Sequence, residues 1–179
     1  TDTAFRRLVK RHGGCGLVVT EMVSAEGLVR GIDRTLEYAE YTEEERPISI
    51  QIFGGDPDKM AAAAQVVEGM GADIVDVNMG CPVPKIAKHN AGCSLMREPE
   101  HAATVISAMA KAVKIPVTVK MRAGWNDGER NAPTLARMEE LLRDAQTAGD
   151  PYDVVHFDGH GTFLPEAQIG ALCFEKADD

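Results

Sequence analysis

The sequence predicts an α/β protein built as an incomplete TIM-type (β/α)8 barrel of about five parallel strands, and three observations carry that expectation. Short apolar, β-branched runs occur at 16–22, 47–53, 73–79, 116–121 and 152–157. Stretches of helical periodicity separate them, as in repeated strand-helix-strand units. Polar residues, Glu21, Gln51, Asn78 and Lys120, stand at or near the carboxyl ends of four runs. Right-handed crossovers between parallel strands bring such ends to one face, where barrels place their chemistry. Five strands are too few to close an eight-stranded barrel. The exposed sheet edges of an unclosed barrel favour self-association.

Each element has its own signal. The first run, Gly16 to Met22, and the second, Pro47 to Phe53, read as buried strands. Asp56-Pro57-Asp58-Lys59 supplies an N-cap and a proline at the first helical position. Met60, Ala63, Ala64 and Val67 then form an apolar stripe that ends at Gly69 and Gly71. Ile74, Val75 and Val77 bury the third strand. Glu98-Pro99-Glu100 opens a second helix, with Ala102, Val105, Ile106, Met109 and Val113 facing inward. Pro116 to Met121 and Tyr152 to Phe157 complete the strand set.

Size and composition bound the class. A chain of 179 residues with 44% hydrophobic and 26% charged content suits one ordinary globular core. It holds no run of 18 or more apolar residues, and its start lacks a basic region followed by an apolar one. Neither a membrane span nor a signal peptide is therefore expected, and the cytoplasm is the expected location. Cysteines 15, 81, 93 and 173 form no C-x-x-C pair, so free thiols are expected and no metal site. The formal net charge of −9 argues against indiscriminate nucleic-acid binding. Yet from Met79 to Trp125 seven Lys/Arg face two Glu, a local excess of the kind a phosphate-bearing ligand or an RNA backbone needs.

Residues 75–96 carry the densest chemistry: a buried strand runs into Asn78-Met79-Gly80-Cys81-Pro82, then Lys85, Lys88, His89 and Gly92. This stretch resembles the signature of the tRNA-dihydrouridine synthases, flavoenzymes that reduce the C5–C6 bond of uridine in tRNA. Thr1 to Arg6, Thr20-Glu21-Met22-Val23, Gln51-Ile52-Phe53-Gly54 and Lys120 to Trp125 match the same family in order and spacing. The resemblance spans residues 1 to about 138 and opens partway into that family's first strand-to-helix turn. A strand is accordingly expected upstream of Thr1.

The resemblance implies roles. Cys81 matches the family's general acid, which protonates C5 of the uracil as hydride reaches C6. A thiol, with a reference pKa of about 8.5, is mostly protonated at neutral pH yet gives up its proton readily. Gln51, Asn78 and Lys120 match contacts to flavin mononucleotide (FMN), with NADPH as reductant. Lys85, His89 and Arg122 match the surface that meets the target nucleotide or the tRNA backbone. Cys93 and Cys15 are read as packing.

From about Pro133 to the end the sequence instead resembles a piece of a caspase-like CHAT peptidase domain, which divides the chain into 1–138 and a divergent tail, 139–179. His160 matches that second family's catalytic histidine, and Cys173 does not occupy the position of its nucleophile. In the alternative reading His156, at the end of Val154-Val155-His156, takes the place of the synthase family's strand-end histidine at the flavin. Two other functions stand beside the synthase: an FMN barrel oxidoreductase acting on a small pyrimidine, and a non-catalytic interaction or scaffold fragment.

Overall fold

The computed structural model describes residues 1–126, 128, 154–157, 161–164 and 169–172. Its strands are β1 (Val18–Val19), β2 (Val23–Ser24), β3 (Ile48–Phe53), β4 (Ile74–Met79), β5 (Val117–Met121), β6 (Val154–Phe157), β7 (Gly161–Leu164) and β8 (Ile169–Leu172). The α-helices are α1 (Thr3–His12), α2 (Ala25–Val29), α3 (Asp33–Ala39), α4 (Pro57–Gly69), α5 (Pro84–Ala87) and α6 (Pro99–Ala112). The main sheet runs β1-β3-β4-β5-β6 with every pair parallel, and it curls into a half-barrel. The expected fold class is therefore the observed one.

Register explains how the sheet sorts its side chains. Gln51 lies opposite Asp76 and Asp76 opposite Thr118, while Asn78 pairs with Lys120 and Lys120 with His156. Because strand side chains alternate faces, Gln51, Asp76, Asn78, Thr118 and Lys120 share one side of the sheet. Ile50, Ile52, Val75, Val77, Met79, Val117, Val119 and Met121 share the other, and there they form the core with the helices. Met60, Ala63, Ala64 and Val67 of α4 and Ala102, Val105, Ile106 and Met109 of α6 are all buried against that apolar face. Each buried Ile, Val or Met side chain contributes roughly 1.5–3 kcal/mol.

The α4 cap is the one the sequence signalled. The Asp56 carboxylate accepts from Lys59 N at 3.0 Å, with Pro57 at the first helical position. Asp2, not singled out in the sequence, also caps its helix, α1, through Phe5 N at 2.9 Å.

Two expectations are corrected. The single strand expected over 16–22 is two short strands, β1 and β2, which pair with β3 on either side of Thr20-Glu21-Met22. The Thr20 hydroxyl takes the Gln51 N–H at 3.1 Å, so a side chain replaces a backbone carbonyl and the ladder breaks there. Gly92, named above only as part of the signature stretch, opens a buried 3-10 segment that runs to Arg97. Cys15 is no core residue: it is half-buried, and its thiol donates to Leu17 O at 3.2 Å. In the tail, β7 and β8 form an antiparallel hairpin separate from the main sheet. His160, Cys173 and Pro133 to Arg137 lie outside the described residues.

Candidate active site

At the carboxyl ends of β3, β4 and β5 the buried polar residues are joined side chain to side chain. Asn78 Nδ2 donates to Gln51 Oε1 at 2.8 Å, and Gln51 Nε2 donates to Asp76 Oδ2 at 2.6 Å. The Thr118 hydroxyl donates to Asp76 Oδ1 at 2.5 Å. Gln51 of β3 and Thr118 of β5 thus converge on one carboxylate of β4 that is only 4% exposed, and Asn78 reaches it through Gln51. Burying a charge this deeply is costly unless hydrogen bonds compensate, and here they do.

Asn78 also shapes the turn that follows β4. Its Oδ1 accepts from Gly80 N at 3.2 Å and from Cys81 N at 3.0 Å, an Asx arrangement that stops the strand and turns the chain. Cys81 emerges from that turn partly exposed. Its carbonyl accepts from Cys93 N at 3.0 Å, which ties the turn to the buried 3-10 segment. Gly92 packs directly behind it. A Cβ there would stand 2.6 Å from Cys81 O, and the Gly92 φ of +59° is one that L side chains rarely adopt. Gly92→Ala is expected to cost about 1–3 kcal/mol, read from urea unfolding, and to displace Cys81.

The second thiol differs from the first. Burial pushes the Cys93 thiol up, and the nearby Arg122 guanidinium, which hydrogen-bonds to it, offsets only part of that rise. Cys93 is thus a packed thiol, as expected. The same contact brings Arg122 to the segment that backs Cys81. Arg97 lies over the Trp125 ring at 5.0 Å, which anchors the chain just after Arg122.

The segment after Cys81 forms α5, with Lys85 and His89 exposed and Ile86 buried beneath them. It closes onto the turn after β3, where Gly55 meets the backbone of His89 and Asn90. A Cβ on Gly55 would stand 2.3 Å from Asn90 O. His101 Nε2 in turn hydrogen-bonds to Gly55 O at 2.7 Å. Between these parts opens a cavity of ≈ 790 Å³, lined by Phe53, Val83 and Ile86 with Lys85 and His89 among its polar groups.

Of the sequence-predicted residues, Gln51 and Asn78 are hydrogen-bonded to each other, Lys120 lies opposite Asn78, and Cys81 hangs from the Asn78 turn. Register sets the backbone of His156 beside Lys120. Lys85 and His89 stand on the neighbouring cavity wall. Sequence reasoning missed Asp76 and Thr118, although a signal was present: Ser49/Gln51, Asp76/Asn78 and Thr118/Lys120 are polar at every second position of three strands. A strand apolar on one side and polar on the other has two different neighbours.

The model of the family described as dihydrouridine synthase (Dus) matches residues 1–144. The chain belongs to the dihydrouridine synthase family. It is 46% identical over 140 residues to a probable tRNA-dihydrouridine synthase of Rickettsia prowazekii, covering 77% of this chain and 42% of that protein. With probable tRNA-dihydrouridine synthase 1 of Synechocystis it shares 47% identity over 147 residues, 81% of this chain and 40% of the relative. Identity to tRNA-dihydrouridine synthase B of Xanthomonas axonopodis pv. citri is 39% over 173 residues, 96% of this chain and 52% of the relative. The chain thus spans about half, or somewhat less, of the length of these relatives. In the family's terms, the strand-end row and Cys81 fall within the matched residues, as do Lys85, His89 and Arg122.

The donor set also fits the polar edge of a flavin ring. Gln51 and Asn78 each keep a second amide hydrogen and Gln51 Oε1 keeps a lone pair beyond the bonds named above, and Lys120 brings a cation to the same face. Among the described residues no group of His, Cys, Asp and Glu is arranged to hold a metal ion. No described helix is long and apolar enough to cross a membrane.

Proposed function

We propose that this chain carries the proton-donating, flavin-facing half of a tRNA-dihydrouridine synthase, with FMN as the flavin, NADPH as its reductant and cytoplasmic tRNA as substrate. The observation that supports this most is the convergence of Gln51, Asn78 and Lys120 on one sheet face, with the Cys81 backbone N–H donated to Asn78 Oδ1 of the same row. When bound, the reduced flavin supplies the hydride that adds to C6 of the uracil.

The chain's own residues do the rest. Cys81 gives its proton to C5, so that C–H bonds form at C5 and C6 as the C5–C6 double bond becomes single. The thiol is left as thiolate and recovers a proton from solvent. Lys120 offsets the negative charge on the reduced ring, and Gln51 and Asn78 fix the ring's orientation. His156 joins them from the neighbouring strand. Lys85, His89 and Arg122 hold the nucleotide, which must leave its stack for its C5 and C6 to be reached from the ring face.

Saturating the chain with FMN, desalting it and recording its visible spectrum tests the reading. A retained, perturbed flavin band is expected, followed by dihydrouridine in unmodified tRNA when NADPH is added. A protein that emerges colourless at saturating FMN would overturn it. Reduction of free uracil or orotate at the rate seen for tRNA would point to a small-pyrimidine oxidoreductase.

A further inference from the structure

Hydrogen-bond direction along the strand-end row is fixed from its Cys81 end. The backbone N–H groups of Gly80 and Cys81 only donate, and both reach Asn78 Oδ1. The Asn78 amide must therefore turn its nitrogen to Gln51, where Nδ2 donates to Oε1 at 2.8 Å. Gln51 is then left with Nε2 toward Asp76, to which it donates at 2.6 Å. Asn78, Gln51, Asp76 and Thr118 are all buried, so water does not stand in readily for a lost partner.

We propose that Asp76 is the positioning residue of this site: as the terminal acceptor it holds the Gln51 amide, through it the Asn78 amide, and through that the Gly80–Cys81 turn. Asp76 touches neither cofactor nor substrate in this role. It couples the ring-facing amides to the geometry of the proton donor, so that one carboxylate sets both. The catalytic consequence rests on the function proposed above, whereas the relay is a property of the chain alone.

Thiol alkylation reads the relay without flavin or RNA. Iodoacetamide labelling followed by peptide mass spectrometry compares Cys81 with Cys15, which lies before β1, remote from the strand ends. Asp76→Leu keeps the branched heavy-atom outline but removes both acceptor oxygens, and it is expected to raise the Cys81 rate relative to Cys15 about fivefold, as suits release of one hydrogen-bonded turn. Asp76→Asn offers Oδ1 to Gln51 and its amide nitrogen to the Thr118 hydroxyl, which can rotate to accept. That conservative variant is expected to stay within about twofold of the wild type.

A second pair guards against misfolding of Asp76→Leu. Gln51→Glu sets two carboxylates against each other and is expected to speed Cys81 labelling, while adding Asp76→Asn restores a donor and returns the rate toward wild type. Two results overturn the proposal: a folded Asp76→Leu with an unchanged Cys81 to Cys15 ratio, or a double variant as fast as Gln51→Glu alone. Failure of flavin binding would leave these ratios as they are, so the two readings fail separately.

Discussion

Cys81→Ala is expected to lower tRNA reduction by roughly 10²- to 10⁴-fold, the usual contribution of one positioned proton donor. Flavin retention should stay intact, since the residues assigned to the ring are Gln51, Asn78, Lys120 and His156. The measurement is single-turnover oxidation of the NADPH-reduced protein by excess tRNA, followed at the flavin band, beside the desalting assay on the same preparation. Cys81→Ser should recover little, because a hydroxyl of far higher pKa is a poor acid at neutral pH. Cys93→Ala is the control: that thiol is buried, pushed up by burial and engaged by Arg122, so proton donation should survive its loss. Equal losses in Cys81→Ala and Cys93→Ala would deny Cys81 its role. A loss of flavin in Cys81→Ala would show that the variant had disturbed the strand ends instead.

The parts of this molecule that were legible in the sequence are those governed by short-range rules. Asp56-Pro57 could be read as a helix start because an N-cap acts three residues away, and α4 begins there. Ile74, Val75 and Val77 could be read as a strand because β-branched residues suit a pleated, buried surface, and β4 lies there. Gln51, Asn78 and Lys120 could be placed at strand ends by counting, with the family resemblance supplying their meaning. What was not legible depends on register and on long-range approach. Asp76 meets Thr118 across 42 positions of sequence, and the fit of Gly55 against Asn90 depends on how two loops pack. The break between β1 and β2 arises because a Thr20 hydroxyl competes with a backbone carbonyl for Gln51 N, and no local pattern announces that.

Glu45 is a sharper case, and Glu45→Ala is expected to cost about 3–5 kcal/mol of stability, the usual result of stranding a buried charge. In the run Glu43-Glu44-Glu45 all three residues look like a solvated acidic turn, yet Glu45 is 0% exposed. It accepts from Arg6 Nε at 2.5 Å, Thr3 Oγ1 at 2.7 Å, Thr42 N at 2.9 Å and Thr42 Oγ1 at 3.1 Å. Arg6 is itself 3% exposed, and it also donates to Glu40 O at 2.8 Å. The pair therefore pins α1 to the segment that enters β3. Removing the carboxylate takes the ion-pair partner from a guanidinium that is itself buried.

The pH dependence of this pair has a definite sign. Burial pushes the Glu45 carboxyl up, but the hydrogen bonds from Thr3, Arg6 and Thr42 and the Arg6 charge outweigh it, so the group lies below its ordinary value of 4.5. Between those two values the unfolded chain binds the proton and the folded chain does not. The stabilisation is thus fully present above about pH 4.5 and is lost as pH falls through the lower, folded value. Glu44, held down to about 2 by exposed Arg11 and Arg7, titrates in the same direction. Urea unfolding of wild type and Glu45→Gln at pH 7 and pH 3 separates the two. The gap between the proteins should narrow on acidification, because only the wild type loses the Glu45 contribution, whereas Glu44 acts equally in both. A gap that held constant or widened toward pH 3 would show that Glu45 stabilises by shape and hydrogen bonding, with no contribution from its charge.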